Sequence, residues 1–149
     1  MLYGRGCAMA YLWVMVGSAI GGALRYAIGR WMLALGSGFP YGTLLINVVG
    51  SFVIGYFGTL TLQGGKYAAS DNMRLFVMVG FCGGFTTFSS FSLQLFDSMR
   101  AGAWGRAMGN VVLSVVLCVG AVAVGHLLAQ RQIGARVAVA QTSEEEFTG

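Results

Sequence analysis

Residues 80–92 read Gly-Phe-Cys-Gly-Gly-Phe-Thr-Thr-Phe-Ser-Ser-Phe-Ser and form the most unusual stretch of the chain. Adjacent glycines at positions 83 and 84, followed by two threonines, make a poor continuous helix, because both residue types have low helix propensity. The stretch lies within a charge-free run from Leu75 to Phe96, which is long enough to cross a bilayer. The sequence therefore predicts a membrane helix that is broken near its middle.

The composition of the whole chain agrees with a membrane location. Of the 149 residues, 56% are hydrophobic and only 9% are charged, whereas a soluble domain carries about a quarter charged residues. The net charge of +4 is too small and too dispersed for a nucleic-acid binder. Three cysteines without C-x-x-C spacing indicate neither a disulfide framework nor a zinc site. We expect a small polytopic membrane protein.

Charge-free runs divide the chain into four predicted spans and a tail. The spans lie at about 11–35, 41–62, 75–99 and 104–129, and together they predict an all-α transmembrane domain over residues 1–130. Residues 131–149 are polar, which predicts a mobile tail.

Positive charges are nearly balanced between the two sides of this arrangement. One side carries Arg5, Lys66, Arg74, Arg131 and Arg136, and the other carries Arg30, Arg100 and Arg106. Such a weak bias gives little orientation signal. We therefore predict dual topology, which permits an antiparallel homodimer.

Polar side chains within the first two spans need partners, since burying them in lipid is costly. Arg25 either reaches back to the interface or raises the positive potential of a vestibule for anions. Thr43, Asn47 and Ser51 are four residues apart, so they share one helix face. This stripe fits either interhelical contacts or a wetted track.

The third span combines hydroxyls with aromatic rings. Phe88 and Phe91 share a face, and Thr87 and Ser90 lie on a neighbouring one. The rings either pack or present their positive edges, which together with hydroxyl and amide donors can meet a small anion. Carbonyls freed by the break are natural ligands for Na⁺.

The fourth span and the acidic residues narrow the choice of function. Asn110, Ser114 and Cys118 share one face of the fourth span. The central parts of the spans hold no carboxylate, which a small proton-coupled exporter of organic cations would need. The sequence also lacks the residue sets of an enzyme active site, so we expect no enzymatic activity.

Three segments resemble the small bacterial fluoride channels (Fluc, also called CrcB). They are Gly-Gly-Ala-Leu-Arg-Tyr at 21–26, Pro-Tyr-Gly-Thr-Leu-Leu-Ile-Asn-Val-Val-Gly-Ser at 40–51, and the stretch at 80–92. The resemblance implies an antiparallel homodimer in the bacterial inner membrane, with two fluoride pores at the subunit interface. It also implies a structural Na⁺ on the two-fold axis, held by the backbone carbonyls of Gly83 and Thr86 from both subunits.

The resemblance further assigns roles to individual side chains. Phe88 and Phe91 correspond to the rings that line the fluoride path, Asn47 to the pore-lining amide, and Arg25 to the vestibule arginine. Thr43, Thr87, Ser90 and Ser114 would complete a polar track. Many members of the family carry Tyr where this chain has Asn110, which leaves the contribution of the fourth span open.

The activity that the resemblance implies is passive fluoride efflux. Two other functions remain open at this point, namely a dual-topology exporter of organic cations and a non-transporting assembly subunit whose polar residues serve only helix contacts.

Overall fold

A computed structural model describes residues 3–34, 38–61 and 69–148, with side chains for 8–34, 38–61 and 69–135. The described residues form helices without strands: α1 (Tyr3–Ala34), α2 (Tyr41–Leu60), α3 (Asp71–Arg74), a π-helical segment (Leu75–Phe81), α4 (Cys82–Phe85), α5 (Phe88–Arg100) and α6 (Trp104–Thr148). Four stretches are long and apolar enough to span a membrane, namely Ala8–Ala34, Tyr41–Leu60, Asp71–Arg100 and Trp104–Ala135. The predicted all-helical fold with four membrane-capable helices is confirmed.

The helix over the third predicted span is interrupted at two residues. Thr86 has φ −76° and ψ 159°, and Thr87 has φ −151° and ψ 110°, so both are extended. We call 71–85 the first half and α5 the second half of the third helix. The two glycines that made this stretch a poor helix remain helical in α4, and the interruption follows at the threonines.

Glycines bring α1 into backbone contact with the first half of the third helix. A Cβ at Gly84 would lie 2.6 Å from the Ser18 carbonyl oxygen, and one at Gly21 would overlap the Phe81 carbonyl oxygen. The Ser18 hydroxyl also donates to the Gly80 carbonyl at 3.3 Å. Gly17 and Gly80 complete two small-xxx-small patterns that allow this approach.

The same device joins α2 to α6. A Cβ at Gly55 would lie 2.5 Å from the Val122 carbonyl oxygen, and one at Gly125 would lie 2.6 Å from the Phe52 carbonyl oxygen. Beside this contact, the Thr59 hydroxyl lies 2.8 Å from Nδ1 of His126. The Tyr56 hydroxyl also donates to Gln132 Oε1 at 2.8 Å, so close packing and two polar contacts fix α6 against α2.

Few of the side chains that the structure describes are buried. The apolar ones among them are Leu44, Ile46, Cys82, Phe85, Ala107 and Ala129. Large apolar residues such as Tyr11, Leu33 and Val119 are more than half exposed, which fits a surface that faces lipid.

The C-terminal residues 131–148 are helical, and the mobility expected for residues 131–149 stays a prediction. Helix α6 continues through Arg131 to Thr148. Residues 131–141 contain no proline and consist largely of alanine, arginine, glutamine and valine, so the chain offers no strong stop signal there.

Several residues used above lie outside the described part of the chain. They are residues 62–68 of the polar connector, including Lys66, and the side chains of Arg5, Cys7 and Arg136. The described end of the connector begins at Ser70, whose hydroxyl accepts a hydrogen bond from the Met73 amide at 3.3 Å. Arg74 then donates to the Thr61 carbonyl and, at 3.1 Å, to the Thr61 hydroxyl, which ties the third helix to the end of α2.

Candidate functional site

Two clefts lie on either side of the break in the third helix. The arginine cleft, of about 410 Å³, is lined among others by Arg25, Arg30, Thr43, Thr87, Ser90 and Gln94. The phenylalanine cleft, of about 480 Å³, is lined among others by Asn47, Ser51, Gly83, Thr86, Thr87, Phe88, Phe91 and Ser114. The predicted site residues are therefore brought to the break but divided between two cavities.

The stripe on α2 is divided in the same way. Thr43 lines the arginine cleft, while Asn47 and Ser51 line the phenylalanine cleft. Thr87 is the one residue common to both linings within the described part of the chain. The boundary between the clefts thus lies where Asn47 meets Thr87.

The Asn47 carboxamide holds the backbone of the break. Its Oδ1 accepts from the Thr87 amide at 2.8 Å, and its Nδ2 donates to the Thr87 carbonyl at 3.2 Å. As the extended residue before α5, Thr87 has no helical partner for its amide, and an unpaired backbone group is expensive away from water. Asn47 satisfies this amide, adds a second bond to the Thr87 carbonyl, and so stabilises the interruption.

Thr87 also begins the second half of the helix. Its Oγ1 accepts from the Ser90 amide at 3.1 Å, which is the geometry of an N-cap. The same oxygen lies 3.0 Å from Ser90 Oγ and 3.2 Å from Ser89 Oγ. Thr87 and Ser90, predicted as part of a polar track, therefore form one hydrogen-bonded group.

The break changes the partners of two carbonyls. In a continuous helix the Thr87 amide would donate to the Gly83 carbonyl and the Ser90 amide to the Thr86 carbonyl. Here these amides donate to Asn47 Oδ1 and Thr87 Oγ1 instead. Both residues line the phenylalanine cleft, so the two carbonyls fit the donor set that Na⁺ prefers.

Gly50 makes room for the break on the α2 side. A Cβ at Gly50 would overlap Cγ2 of Thr86. The Thr86 hydroxyl donates to the Cys82 carbonyl at 2.8 Å, which turns the Thr86 methyl toward Gly50. A glycine three residues beyond Asn47 therefore lets α2 approach the extended segment closely.

The two predicted rings are neighbours in the phenylalanine cleft. The centroids of Phe88 and Phe91 are 5.6 Å apart and their planes are tilted by 40°. Phe88 is 78% exposed within a single chain, which is far more than a packing residue of a core would be. No ionisable acid or base other than the thiols of Cys82 and Cys118 lines this cleft among the described residues.

Arg25 lies in the arginine cleft and has a second arginine with it. Arg30 lines the same cavity, although its position in the sequence indicated only a contribution to the balance of positive charges across the membrane. Gln94, also missed, lines this cleft with its Oε1 buried and without a hydrogen-bond partner in the described structure. The sequence signal for Gln94 was its position four residues after Ser90, which places both on the same face of α5.

The contribution of α6 is split between two residues. Ser114 lines the phenylalanine cleft and donates to Asn110 Oδ1 at 3.3 Å. Asn110 is 3% exposed, and its Nδ2 has no hydrogen-bond partner in the described structure. Asn110 thus orients Ser114 from behind the cleft and does not line it.

These features define a small multi-pass membrane protein with polar clefts around a broken helix. A family model described as "CrcB-like protein, Camphor Resistance (CrcB)" matches residues 12–126. The chain belongs to this family and is a multi-pass bacterial membrane protein.

Similar proteins share most of the chain. A protein of Gluconobacter oxydans is 55% identical over 134 residues, covering 89% of this chain and 93% of the relative. One of Methylobacterium radiotolerans is 57% identical over 133 residues, with 89% and 93% coverage. One of Opitutus terrae is 52% identical over 120 residues, with 80% and 91% coverage. All three are named "Fluoride-specific ion channel FluC", and ion channels are not enzymes.

Proposed function

We propose that this protein is a fluoride-selective channel that lowers cytoplasmic fluoride by passive efflux. The observation that carries the proposal is the phenylalanine cleft, where two phenylalanine side chains, hydroxyls and one amide meet without a charged lysine, arginine or carboxylate among the described lining residues. Neutral donors bind an anion weakly enough to release it, which conduction requires. The names of the relatives support fluoride as the ion.

Fluoride efflux by this route needs no coupling to ATP or to a proton gradient. In acidic surroundings fluoride is protonated to neutral HF, which crosses the membrane and dissociates in the more alkaline cytoplasm, where the anion is trapped. A membrane potential, negative inside, drives one elementary charge outward with about 2.3 kcal/mol per 100 mV. A passive pore therefore suffices.

The arginine cleft would serve as the vestibule of this pore. Two guanidinium groups raise the local concentration of anions at its mouth. Thr43 and Ser90 supply neutral donors between these charges and Thr87. The path proposed for fluoride runs from there past Asn47 to Phe88 and Phe91, with Ser114 on the α6 side.

We further propose that two copies assemble as an antiparallel homodimer with two pores. The phenylalanine cleft opens to the outside of a single chain, with Phe88 and Gly83 exposed at its edge. A second copy with the opposite orientation would close this opening. The nearly balanced positive charges support insertion in both orientations.

A structural Na⁺ at the centre of this dimer is part of the proposal. The carbonyls of Gly83 and Thr86 would hold it, since the break removes their regular helical partners. The ion would supply a positive charge that stabilises carbonyls gathered at the subunit interface. Asn47 and the Thr87 cap support this proposal, since they take up the two amides that would bond these carbonyls in a continuous helix.

The alternative of a proton-coupled exporter of organic cations has no observation in its favour. Asp97 is exposed near the end of α5 and does not line either cleft. The relatives are named for an anion, not for a cationic substrate.

The test of the proposed function is fluoride efflux from liposomes that contain only the purified protein. A fluoride electrode should record rapid efflux when a potassium gradient with valinomycin sets the potential. Protein-free liposomes and chloride-loaded liposomes serve as controls. Efflux no faster than from protein-free liposomes would favour a non-transporting assembly subunit and overturn the proposal.

A further inference from the structure

The Asn47–Thr87 contact separates the two clefts. Along α2 the lining changes from the arginine cleft at Ile46 to the phenylalanine cleft at Asn47. Along the third helix, Thr87 borders both cavities. The Thr87 peptide therefore lies at the boundary between the two clefts.

This peptide carries a donor that would bind a passing anion. The Thr87 side chain and backbone lie in a buried position, with 6% of the residue exposed. A buried N–H without a partner pays a large desolvation cost, so it would hold any anion that reached it. In this chain the N–H is occupied by Asn47 Oδ1 at 2.8 Å.

One of the two hydrogens of the Asn47 carboxamide is not donated to Thr87. Its Nδ2 carries two hydrogens, of which one is donated to the Thr87 carbonyl at 3.2 Å. Since Asn47 lines the phenylalanine cleft, the second hydrogen is available to that cavity. Asn47 therefore occupies the Thr87 N–H and offers one N–H of its own side chain to the cavity in its place.

We infer that Asn47 sets the fluoride affinity of the passage between the clefts by masking the Thr87 N–H. The inference rests on the proposed function and adds to it a positioning role that acts through the Thr87 backbone. With the mask in place, fluoride meets a single amide hydrogen at the boundary and leaves quickly. Without the mask, fluoride binds the bare N–H and leaves slowly, because conduction needs binding weak enough for exit.

The experiment measures efflux rate against fluoride concentration for three variants in liposomes. Asn47→Ala removes the mask, so the half-saturating fluoride concentration should fall several-fold while the maximal rate falls at least tenfold. Asn47→Asp keeps an acceptor for the Thr87 N–H and adds a negative charge, so the half-saturating concentration should rise. Val49→Ala, at an exposed position of the same helix that lines neither cleft, should leave both parameters unchanged.

The pattern distinguishes masking from a merely structural role. A structural defect reduces the fraction of active channels, which lowers the maximal rate and leaves the half-saturating concentration unchanged. That result for Asn47→Ala would overturn the inference, as would a rise of the half-saturating concentration.

The outcomes also separate this inference from the proposed function. If the unsubstituted protein conducts fluoride and Asn47→Ala has the same half-saturating fluoride concentration, the masking role is refuted. The proposed channel function is then still supported. Where Asn47→Ala does not assemble on size-exclusion chromatography, Asn47→Gln decides, since a side chain longer by one methylene displaces the mask. Failure of both variants to assemble would make Asn47 a purely structural clamp and refute the inference.

Discussion

The two halves of the third helix are built by opposite means. The first half, 71–85, lies against α1 through glycines that allow backbone contact, and Gly80, Cys82 and Phe85 are buried there. The second half, α5, has no buried residue. One half is fixed by its own chain, and the other presents Phe88, Phe91 and its hydroxyls to the clefts. The close packing of the first half thus positions a second half whose surface is left uncovered within a single chain.

The largest expected effect concerns the exposed half. Phe88→Ile and Phe91→Ile should each reduce fluoride efflux to the rate of protein-free liposomes, because isoleucine fills space and lacks the positive edge of a ring. Assembly, measured by size-exclusion chromatography, should be unchanged. Phe96→Ile is the matched control, since Phe96 is exposed on the same helix and lines neither cleft. Unchanged efflux in either cleft variant would remove the ring edges from the path.

Substitutions at the contact between α1 and the first half of the third helix should change the stability of the protein. Gly21→Ala places a Cβ against the Phe81 carbonyl, and overpacking of this kind costs about 1–3 kcal/mol. Gly22→Ala meets no atom within 4 Å and gains helix propensity, so it should not lower the unfolding temperature. Tryptophan fluorescence on heating measures the difference. Equal unfolding temperatures for the two variants would show that close backbone contact does not hold this half in place.

The junction of the halves should depend on Na⁺. Replacing Na⁺ by a larger organic cation during purification should lower fluoride efflux or increase the monomer fraction, because the carbonyls of Gly83 and Thr86 would lose their counter-charge. Readdition of Na⁺ should reverse the change. If efflux and the monomer fraction both stay constant, the central ion is not required.

The smallest effect is expected at the cap of the second half. Thr87→Ala removes the acceptor for the Ser90 amide and should cost about 1 kcal/mol of stability. Thr87→Ser retains the hydroxyl and should unfold close to the unsubstituted protein. Thermal unfolding of the pair measures the cap, and identical curves would contradict it. Both variants keep the backbone bonds to Asn47.

The sequence predicted the helices well because lipid imposes a simple rule on length and charge. Four charge-free runs became four membrane-capable helices. The end of the fourth helix was not predicted, since polarity alone does not stop a helix that lacks proline. The glycine pair was also a misleading guide to the break, because Gly84 serves contact with Ser18 while Thr86 and Thr87 are extended.

The site was predicted in composition and not in arrangement. Helical spacing placed Thr43, Asn47 and Ser51 on one face, and they do share it. Periodicity could not reveal that Thr43 belongs to a different cleft from the other two, since that division depends on where α5 crosses α2. The double hydrogen bond of Asn47 to Thr87 joins residues 40 positions apart and has no signature in local spacing.

The π-helical segment at Leu75–Phe81 has a consequence for length variation along the chain. A π-turn takes up an additional residue compared with an α-turn, so it behaves as a stored insertion. Deletion of one residue there can be absorbed by relaxation to an ordinary α-helix. The residues that follow in the third helix would then still present the same face to α1. A deletion in α2 has no such reserve and would rotate Asn47 away from Thr87 by about 100°.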